Sequence, residues 1–265
     1  MEIQRSTPYG ILIILITVLF SCSYYQHKED AETIRTDSLL SIYIDSIAVN
    51  PLKVVSILRD NQRNVSDSLN YYYLQQTISR CYYFGNRIDS AFLLTDEILR
   101  YIEKQPEMNN RLRKLSGDTY NSRGVFFQEM NQWDSAIVCL HNASEALLQA
   151  NVQNRLPAIH TYINMADSYQ HKGDYGWAGF YYRKALFLSD SIGMGDKMNY
   201  SIYSGLAKLY LELENYPLSD SYFKKAEQYW DKGNEYEQYY FANSRGNDYY
   251  VTKEYDDALI WFQRA

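Results

Sequence analysis

A pattern of small and aromatic residues recurs five times along this 265-residue chain. Five segments align on one small residue: NRIDSAFLL, NQWDSAIVCL, GDYGWAGFYY, ENYPLSDSYF and KEYDDALIWF. These anchor residues are Ala91, Ala136, Ala178, Ser219 and Ala258. Successive anchors lie 39–45 residues apart, as their numbers show. A period of this length predicts repeated units, each of which buries one face against its neighbour.

Each anchor has partners at fixed spacings. An aromatic residue lies nine positions earlier, at Tyr82, Phe127, Tyr169, Tyr210 and Tyr249. A small residue lies twelve positions earlier, at Ser79, Gly124, Ala166, Ala207 and Gly246. Seven positions after the anchor come Ile98, Ala143, Ala185, Ala226 and Ala265. The small residues predict a close crossing of two antiparallel helices, with the aromatic ring beside it. Turn formers separate the two helices, at Asn86, Asn131, Gly173 and Asn215.

This spacing resembles the tetratricopeptide repeat (TPR) over about residues 68–265. The period exceeds the roughly 34 residues of the standard repeat and reaches the range of HEAT and armadillo units. The small–aromatic–small spacing nevertheless favours TPR. The resemblance implies an all-α fold, a right-handed superhelical solenoid of antiparallel helix pairs. The extra residues are expected in the second helix and in the loop that follows it.

Three segments are expected from this reading. Residues 1–22 are a signal peptide with a lipobox-like end, and residues 23–66 are an N-terminal linker and a degenerate first helix pair. Residues 67–265 are five TPR-like repeats of about 40 residues each, the last one incomplete. In the degenerate pair, Asn50 and Pro51 predict a helix start. Leu52, Val55 and Leu58 are expected to share one face of that helix.

The N-terminus predicts export. Its apolar run from Ile11 to Phe20 is shorter than a bilayer-spanning helix but fits the core of a signal peptide. The sequence Leu19-Phe20-Ser21-Cys22 resembles the bacterial lipoprotein box, which implies acylation of Cys22. An ordinary signal peptide with an incidental cysteine is the alternative. The expected location is the cell envelope of a bacterium, as a membrane-anchored lipoprotein that faces the periplasm or the outside.

The sequence carries no pattern that is typical of catalysis or metal binding. No two of the four histidines have metal-ligand spacing, and neither a phosphate-binding loop nor a nucleophile–base arrangement occurs. Cys81 and Cys139 are predicted to be buried thiols, with a disulfide as the alternative. We therefore expect a protein without catalysis, metal or cofactor. The net charge of −6, without a basic cluster, argues against nucleic-acid binding by this part of the protein.

The TPR resemblance implies that the first helices line a groove. Its candidate residues, assigned by register, are Arg80, Tyr83, Gln128, Asp167, Gln170, Lys208, Asn247 and Tyr250. This lining is rich in amides and carries isolated charges of both signs, so the implied ligand is an extended or helical peptide. A clamp for a C-terminal carboxylate is not supported, because Arg80, Lys208 and Asn247 lie in distant repeats.

The sequence thus favours a non-catalytic protein- or peptide-binding TPR scaffold that is exported and tethered to a membrane. Two roles stay open: the sensing or docking part of a bacterial regulator, and an outer-membrane assembly lipoprotein. Ala265 falls inside the second helix of the fifth unit. Since a solenoid needs a polar cap, we expect the chain to continue, and we expect a bare apolar face at Ile260, Trp261 and Phe262.

Overall fold

The computed structural model describes residues 31–150, 155–193, 195–232 and 235–265. Within these ranges the backbone forms helices and turns and contains no strand, which confirms the all-α prediction. The chain divides into two compact units, one ending at Ile98 and the other running from Leu99 to Ala265. The predicted signal peptide and Cys22 lie outside the described residues.

The described residues contain twelve α-helices. Helix α1 covers residues 31–43. The others are α2 (Pro51–Gln62), α3 (Ser68–Phe84), α4 (Ile88–Glu103), α5 (Asn110–Glu129), α6 (Trp133–Gln149), α7 (Arg155–Lys172), α8 (Tyr175–Ser191), α9 (Gly195–Glu212), α10 (Tyr216–Glu227), α11 (Glu235–Val251) and α12 (Tyr255–Phe262). Two short 3-10 helices lie at Ile44–Ser46 and Trp230–Lys232.

The first unit packs α2 against α3 around a fully buried aliphatic core that includes Leu58, Leu74 and Ile78. Pro51 occupies the first turn of α2 as predicted, whereas the Asn50 side chain makes no capping bond. The predicted face of α2 is partly wrong. The side chain of Leu52 is 49% exposed, and its place in the core is taken by Val54.

The second unit is a stack of helix pairs. Each of α5, α7, α9 and α11 packs against the helix that follows it, and α7, α9 and α11 also contact the first helix of the preceding pair. Short connections make the two helices of a pair run antiparallel. The core follows the predicted register, since Ala136, Ala178, Ala166, Ala207 and Ser219 are all fully buried. At Gly124 an added Cβ would lie 2.6 Å from the Leu140 Cγ atom, so this crossing requires glycine.

The turn between the helices of each repeat has one geometry throughout. Five residues before every anchor, the backbone is left-handed: φ is 56° at Asn86, 56° at Asn131, 85° at Gly173, 57° at Glu214 and 67° at Lys253. The next backbone N–H donates to the carbonyl of the repeat aromatic, as from Arg87 to Tyr82 at 2.8 Å and from Asp174 to Tyr169 at 2.8 Å. The backbone N–H of the left-handed residue itself donates to the carbonyl of the residue that follows the repeat aromatic. These two bonds form the Schellman motif, which satisfies the last carbonyls of the first helix.

The turn of the fourth repeat corrects the sequence reading. We predicted Asn215 as the turn former, but the left-handed residue is Glu214. Asn215 instead begins α10, where its side chain accepts a hydrogen bond from the Leu218 backbone N–H at 3.3 Å. Asparagine suits both roles, and the constant spacing to the anchor decides between them.

The predicted exposure of the last apolar face is also only partly right. Leu259, Ile260 and Phe262 are exposed, but Trp261 is only 9% exposed. Its ring meets those of Trp230 and Phe241, with 5.6 Å between ring centroids in each case. The 3-10 turn that carries Trp230 therefore covers a residue that we expected to be bare.

The left-handed turns generate a stability prediction. A side chain with a Cβ atom disfavours positive φ, so we expect Glu214→Gly and Lys253→Gly each to raise the free energy of unfolding by about 0.5–1 kcal/mol. The matched control is Gly173→Ala, which introduces a Cβ at the same position of the third turn and should destabilise by about 1 kcal/mol. Urea unfolding followed by circular dichroism measures all three. Equal stability of Gly173→Ala and the wild type would contradict the assigned turn geometry.

Candidate functional site

Polar side chains join neighbouring first helices in the second unit. The Gln128 Nε2 atom of α5 donates to the Asn164 carbonyl and to the Ser168 Oγ atom of α7, both at 2.8 Å. Between α7 and α9, the Gln170 Nε2 atom donates to a Glu212 carboxylate oxygen at 2.9 Å. Side chains that the register placed in the groove thus bind the next repeat, and these bonds fix the relative position of the first helices.

A second helix also reaches this face. The Tyr182 hydroxyl of α8 donates to the Asp167 carboxylate and lies 3.3 Å from the Gln170 Oε1 atom. Space for the ring comes from Gly205 of α9, where an added Cβ would lie 2.2 Å from the ring. Burial raises the pKa of Asp167, against the opposing effects of the Tyr182 bond and the Lys208 charge. Burial and the adjacent Asp167 raise the pKa of Tyr182.

Between α9 and α11 a depression of about 510 Å³ opens. Its lining combines charged, amide and apolar side chains: Lys208, Leu211, Glu212, Glu214, Tyr216, Asn243, Ser244, Asn247 and Val251. Asn247 is exposed, and the Asn243 amide nitrogen donates to the Tyr239 carbonyl at 3.1 Å. Amide groups that can donate and accept at once, beside charges of both signs, suit an extended polypeptide.

The predicted groove residues therefore have different environments. Lys208 and Asn247 line the depression together, and Gln170 is linked to its wall through Glu212. Tyr250 is 58% exposed, and its ring centroid lies 5.7 Å from that of Tyr255. Arg80 and Tyr83 lie half-buried on α3 in the first unit. Their assignment to a ligand-binding groove stays a prediction.

Sequence reasoning missed an ionic cluster between α10 and α11 that is centred on a buried arginine. The Arg245 side chain of α11 is fully buried and donates to three carboxylates. The distances are 2.8 Å to Asp220 and 2.9 Å to Glu227 on α10, and 2.6 Å to Asp248 on its own helix. The guanidinium also lies 4.1 Å from the centre of the Tyr249 ring. One cation thus joins α10 to α11.

The surroundings of Asp220 and Asp248 shift the pKa values of these two carboxyls in opposite directions. Burial would raise the pKa of Asp220, but the bonds from Lys224 and Arg245 outweigh it and lower that pKa. Burial raises the pKa of Asp248 in spite of Ser219 and Arg245. The Ser219 hydroxyl lies 2.8 Å from an Asp248 oxygen. This contact explains why the fourth anchor is serine, since an alanine would leave that buried oxygen with one partner fewer.

Two signals in the sequence could have revealed the cluster. The fourth anchor departs from alanine, and Arg245 occupies a register position at which three other repeats have Ile78, Met165 or Leu206 and the second repeat has the partly buried Arg123. An arginine at a buried register position needs carboxylate partners nearby. Those partners are spread between residues 220 and 248, at positions that read as ordinary surface charges.

The cluster generates the second prediction. Arg245→Met is expected to destabilise the protein by about 3 kcal/mol at neutral pH, because it leaves the buried Asp248 carboxylate without its cation, whereas the partly exposed Asp220 keeps Lys224. Without Arg245 the pKa of Asp248 rises further, so the variant should recover part of the loss as the pH falls from about 7 to about 5. Urea unfolding at both pH values measures this. The matched control Arg63→Met changes an arginine that is 78% exposed and whose ion pair with Asp60 lies on the surface, so it should cost little.

Cys81, Cys139 and His171 pack against other side chains of the fold. Cys81 and Cys139 are buried free thiols, as predicted, and burial raises the pKa of Cys81 to about 11. His171 stacks on Trp133, with 4.7 Å between ring centroids. In the described part of the chain, no group of three or more His, Cys, Asp or Glu side chains is arranged for a metal ion. None of the described helices has the length and apolar content that crossing a membrane requires.

Comparisons with known proteins agree with this fold. No family model and no curated protein matches the sequence. PilF of Pseudomonas aeruginosa is similar in structure, with a TM-score of 0.59 and 14% identity over 87% of this chain and 90% of PilF. BtubC (BKLC) from P. vanneervenii has a TM-score of 0.62 and 14% identity over 83% of this chain and 88% of BtubC. A tetratricopeptide repeat protein from Parabacteroides merdae has a TM-score of 0.42 and 13% identity, over 86% of this chain and 91% of that protein.

Together with the five equivalent turns and the buried small residues, the likenesses to PilF and BtubC establish the fold class. The chain has the helical solenoid fold of tetratricopeptide repeat proteins, and the resemblance inferred from its sequence is confirmed. Identities this low carry the fold and not the function.

Proposed function

We propose that this protein is a non-catalytic TPR scaffold that binds a protein or peptide and is held at a bacterial membrane through an acylated Cys22. The observation that carries the binding role is the depression between α9 and α11. There Lys208 and Asn247, selected by register, lie on opposite walls beside Glu212 and Asn243. An amide-rich wall can hydrogen-bond the main chain of a ligand in both directions.

The surroundings of the depression support a preorganised site. One wall is α9, which Gln170 ties to α7 through Glu212. The other wall is α11, which Arg245 ties to α10 on the side away from the depression. Walls that are fixed before binding lose less conformational entropy when a ligand arrives.

Within this function we favour the sensing or docking part of a bacterial regulator, with an outer-membrane assembly lipoprotein as the alternative. The long repeat period motivates the first role, as does the resemblance of TDSLLSIY and NPLKVVSIL to the starts of such regulators. The lipobox-like Leu19–Cys22 joined to about five repeats fits the second. Reading the gene beyond Ala265 separates them, because a regulator requires an apolar span of about 20 residues followed by an output domain.

The third prediction concerns the depression. Short random peptides displayed on phage and selected on residues 23–265 should yield ligands whose affinity falls about tenfold, or ~1.4 kcal/mol, in Asn247→Ala. Lys208→Ala should weaken the same ligands, because it removes the cation of the opposite wall. Isothermal calorimetry with synthetic versions of the selected peptides measures both.

The matched control for this experiment is Asn142→Ala, which removes an exposed amide on α6, away from the depression. It should bind the selected peptides as tightly as the wild type. Selected peptides that bind all three variants equally would show that the depression is not the binding site.

The fourth prediction concerns Cys22. Expression of the whole chain in a Gram-negative host with an alkyne-labelled fatty acid should label the protein, and Cys22→Ala should abolish the label. The motive is the lipobox-like Leu19-Phe20-Ser21-Cys22 after the apolar run. Cys81→Ala serves as the control, since a buried thiol is expected to stay unmodified. Equal labelling of Cys22→Ala and the wild type would disprove the lipid anchor.

A further inference from the structure

The outward face of α8 carries a ridge of aromatic side chains, defined here as Trp177, Phe180, Lys184 and Phe187. Spacings of three and four residues place all four positions on one side of the helix. Trp177 is 54% exposed, Phe180 45% and Phe187 76%. Exposed apolar side chains that lie together mark an interaction surface.

Packing beneath the ridge holds its first part in place. The Trp177 ring stacks on Tyr169, with 6.0 Å between centroids, and meets the edge of Phe180 at 5.6 Å. Tyr181 stacks in turn on Tyr169 at 5.5 Å. The Lys184 Nζ atom lies 4.5 Å from the centre of the Tyr162 ring, so its aliphatic stem covers aromatic surface. Trp177 and Phe180 are thus fixed side chains with one free face each.

The local charge differs from that of the whole chain. The protein carries a net charge of −6. In α8, however, Arg183 and Lys184 are basic, both are exposed, and the one acidic residue, Asp190, lies at the end of the helix. Asp174 precedes the helix and lies 3.7 Å from the Lys172 ammonium. The middle of the ridge is therefore cationic as well as aromatic.

The chemistry of this surface selects the kind of partner. Its exposed side chains are a tryptophan, two phenylalanines and two neighbouring cations, Arg183 and Lys184. Tryptophan and phenylalanine flanked by basic residues suit the headgroup region of a bilayer, which accepts apolar side chains without a preformed pocket. Anionic headgroups supply the opposite charge for the two cations.

We propose that the α8 ridge is a membrane-contact surface that inserts Trp177, Phe180 and Phe187 into the headgroup region of a bilayer containing anionic lipid. Arg183 and Lys184 pair with lipid phosphates in this arrangement. The ridge is a different surface from the α9–α11 depression. Its action does not require acylation of Cys22, although the two together would fix the orientation of the scaffold on a membrane.

The test uses a form of the protein that begins at Ser23, which keeps every described residue and lacks the proposed anchor. Its binding to extruded vesicles is measured by sedimentation, with phosphatidylcholine alone or with one quarter phosphatidylglycerol. We expect binding to both, tighter with the anionic lipid. Phe180→Ser/Phe187→Ser should lower the partition coefficient at least tenfold. The matched control is Tyr239→Ser/Tyr240→Ser, two exposed aromatics of α11 that should not matter.

A second measurement reports the position of the ridge itself. Brominated phosphatidylcholine quenches a tryptophan that enters the bilayer, and this quenching should disappear in Trp177→Phe, which keeps an aromatic ring. The single variant Phe187→Ser, at the most solvent-exposed of the three aromatic positions, guards against loss of fold and should still weaken binding several-fold. Circular dichroism checks that every variant is folded.

Three results would contradict the proposal. A wild-type protein that stays in the supernatant with both vesicle types overturns it. Binding that persists in Phe180→Ser/Phe187→Ser, or quenching that persists in Trp177→Phe, also overturns it. None of these results bears on peptide binding at Asn247 or on acylation of Cys22, which are measured separately.

Discussion

The turn that ends the first helix of every repeat is the constraint on which the rest of this structure depends. A left-handed residue, followed by an N–H bond to the carbonyl of the repeat aromatic, ends each first helix at a fixed distance from the anchor. That distance determines which side of the second helix meets the first, and so it places Ala136, Ala178 and Ser219 at the crossings. Because the geometry is made by backbone bonds, it survives changes of residue from glycine to asparagine, glutamate and lysine.

Polar groups join the repeats at two kinds of contact. On the face of the first helices, Gln128 bonds neutral groups of the next repeat, and the neutral Gln170 amide bonds the Glu212 carboxylate. None of these bonds pairs two charges. On α11, the fully buried Arg245 side chain binds two partly exposed carboxylates of α10, Asp220 and Glu227. The ionic contact made by Arg245 is strong only when every partner is present. The fourth and fifth repeats are therefore joined by a contact that depends on all of its members.

The repeat register could be read from the sequence, because small residues at fixed spacings have a single steric meaning, and Gly124 and Ala178 are buried as expected. The environment of the groove residues could not. The partners of Gln128 and Gln170 lie about forty residues away, and the ring that reaches Asp167 comes from another helix over Gly205. Trp261 was expected to be bare because its cover, Trp230, lies in an irregular turn between repeats. Periodicity predicts the positions that every repeat shares, but it does not predict contacts that occur in only one repeat.

The passage of Tyr182 over Gly205 has a consequence for how this array can change in evolution or in the laboratory. Repeat proteins commonly grow, shrink and recombine by whole units, since each unit contacts only its neighbours. Here the side chain belongs to one unit and the gap that admits it to the next, so a break between them would separate a large ring from its slot. The third and fourth units should therefore be inherited together. A duplication or graft of this array should keep both units and divide the chain before the third unit or after the fourth.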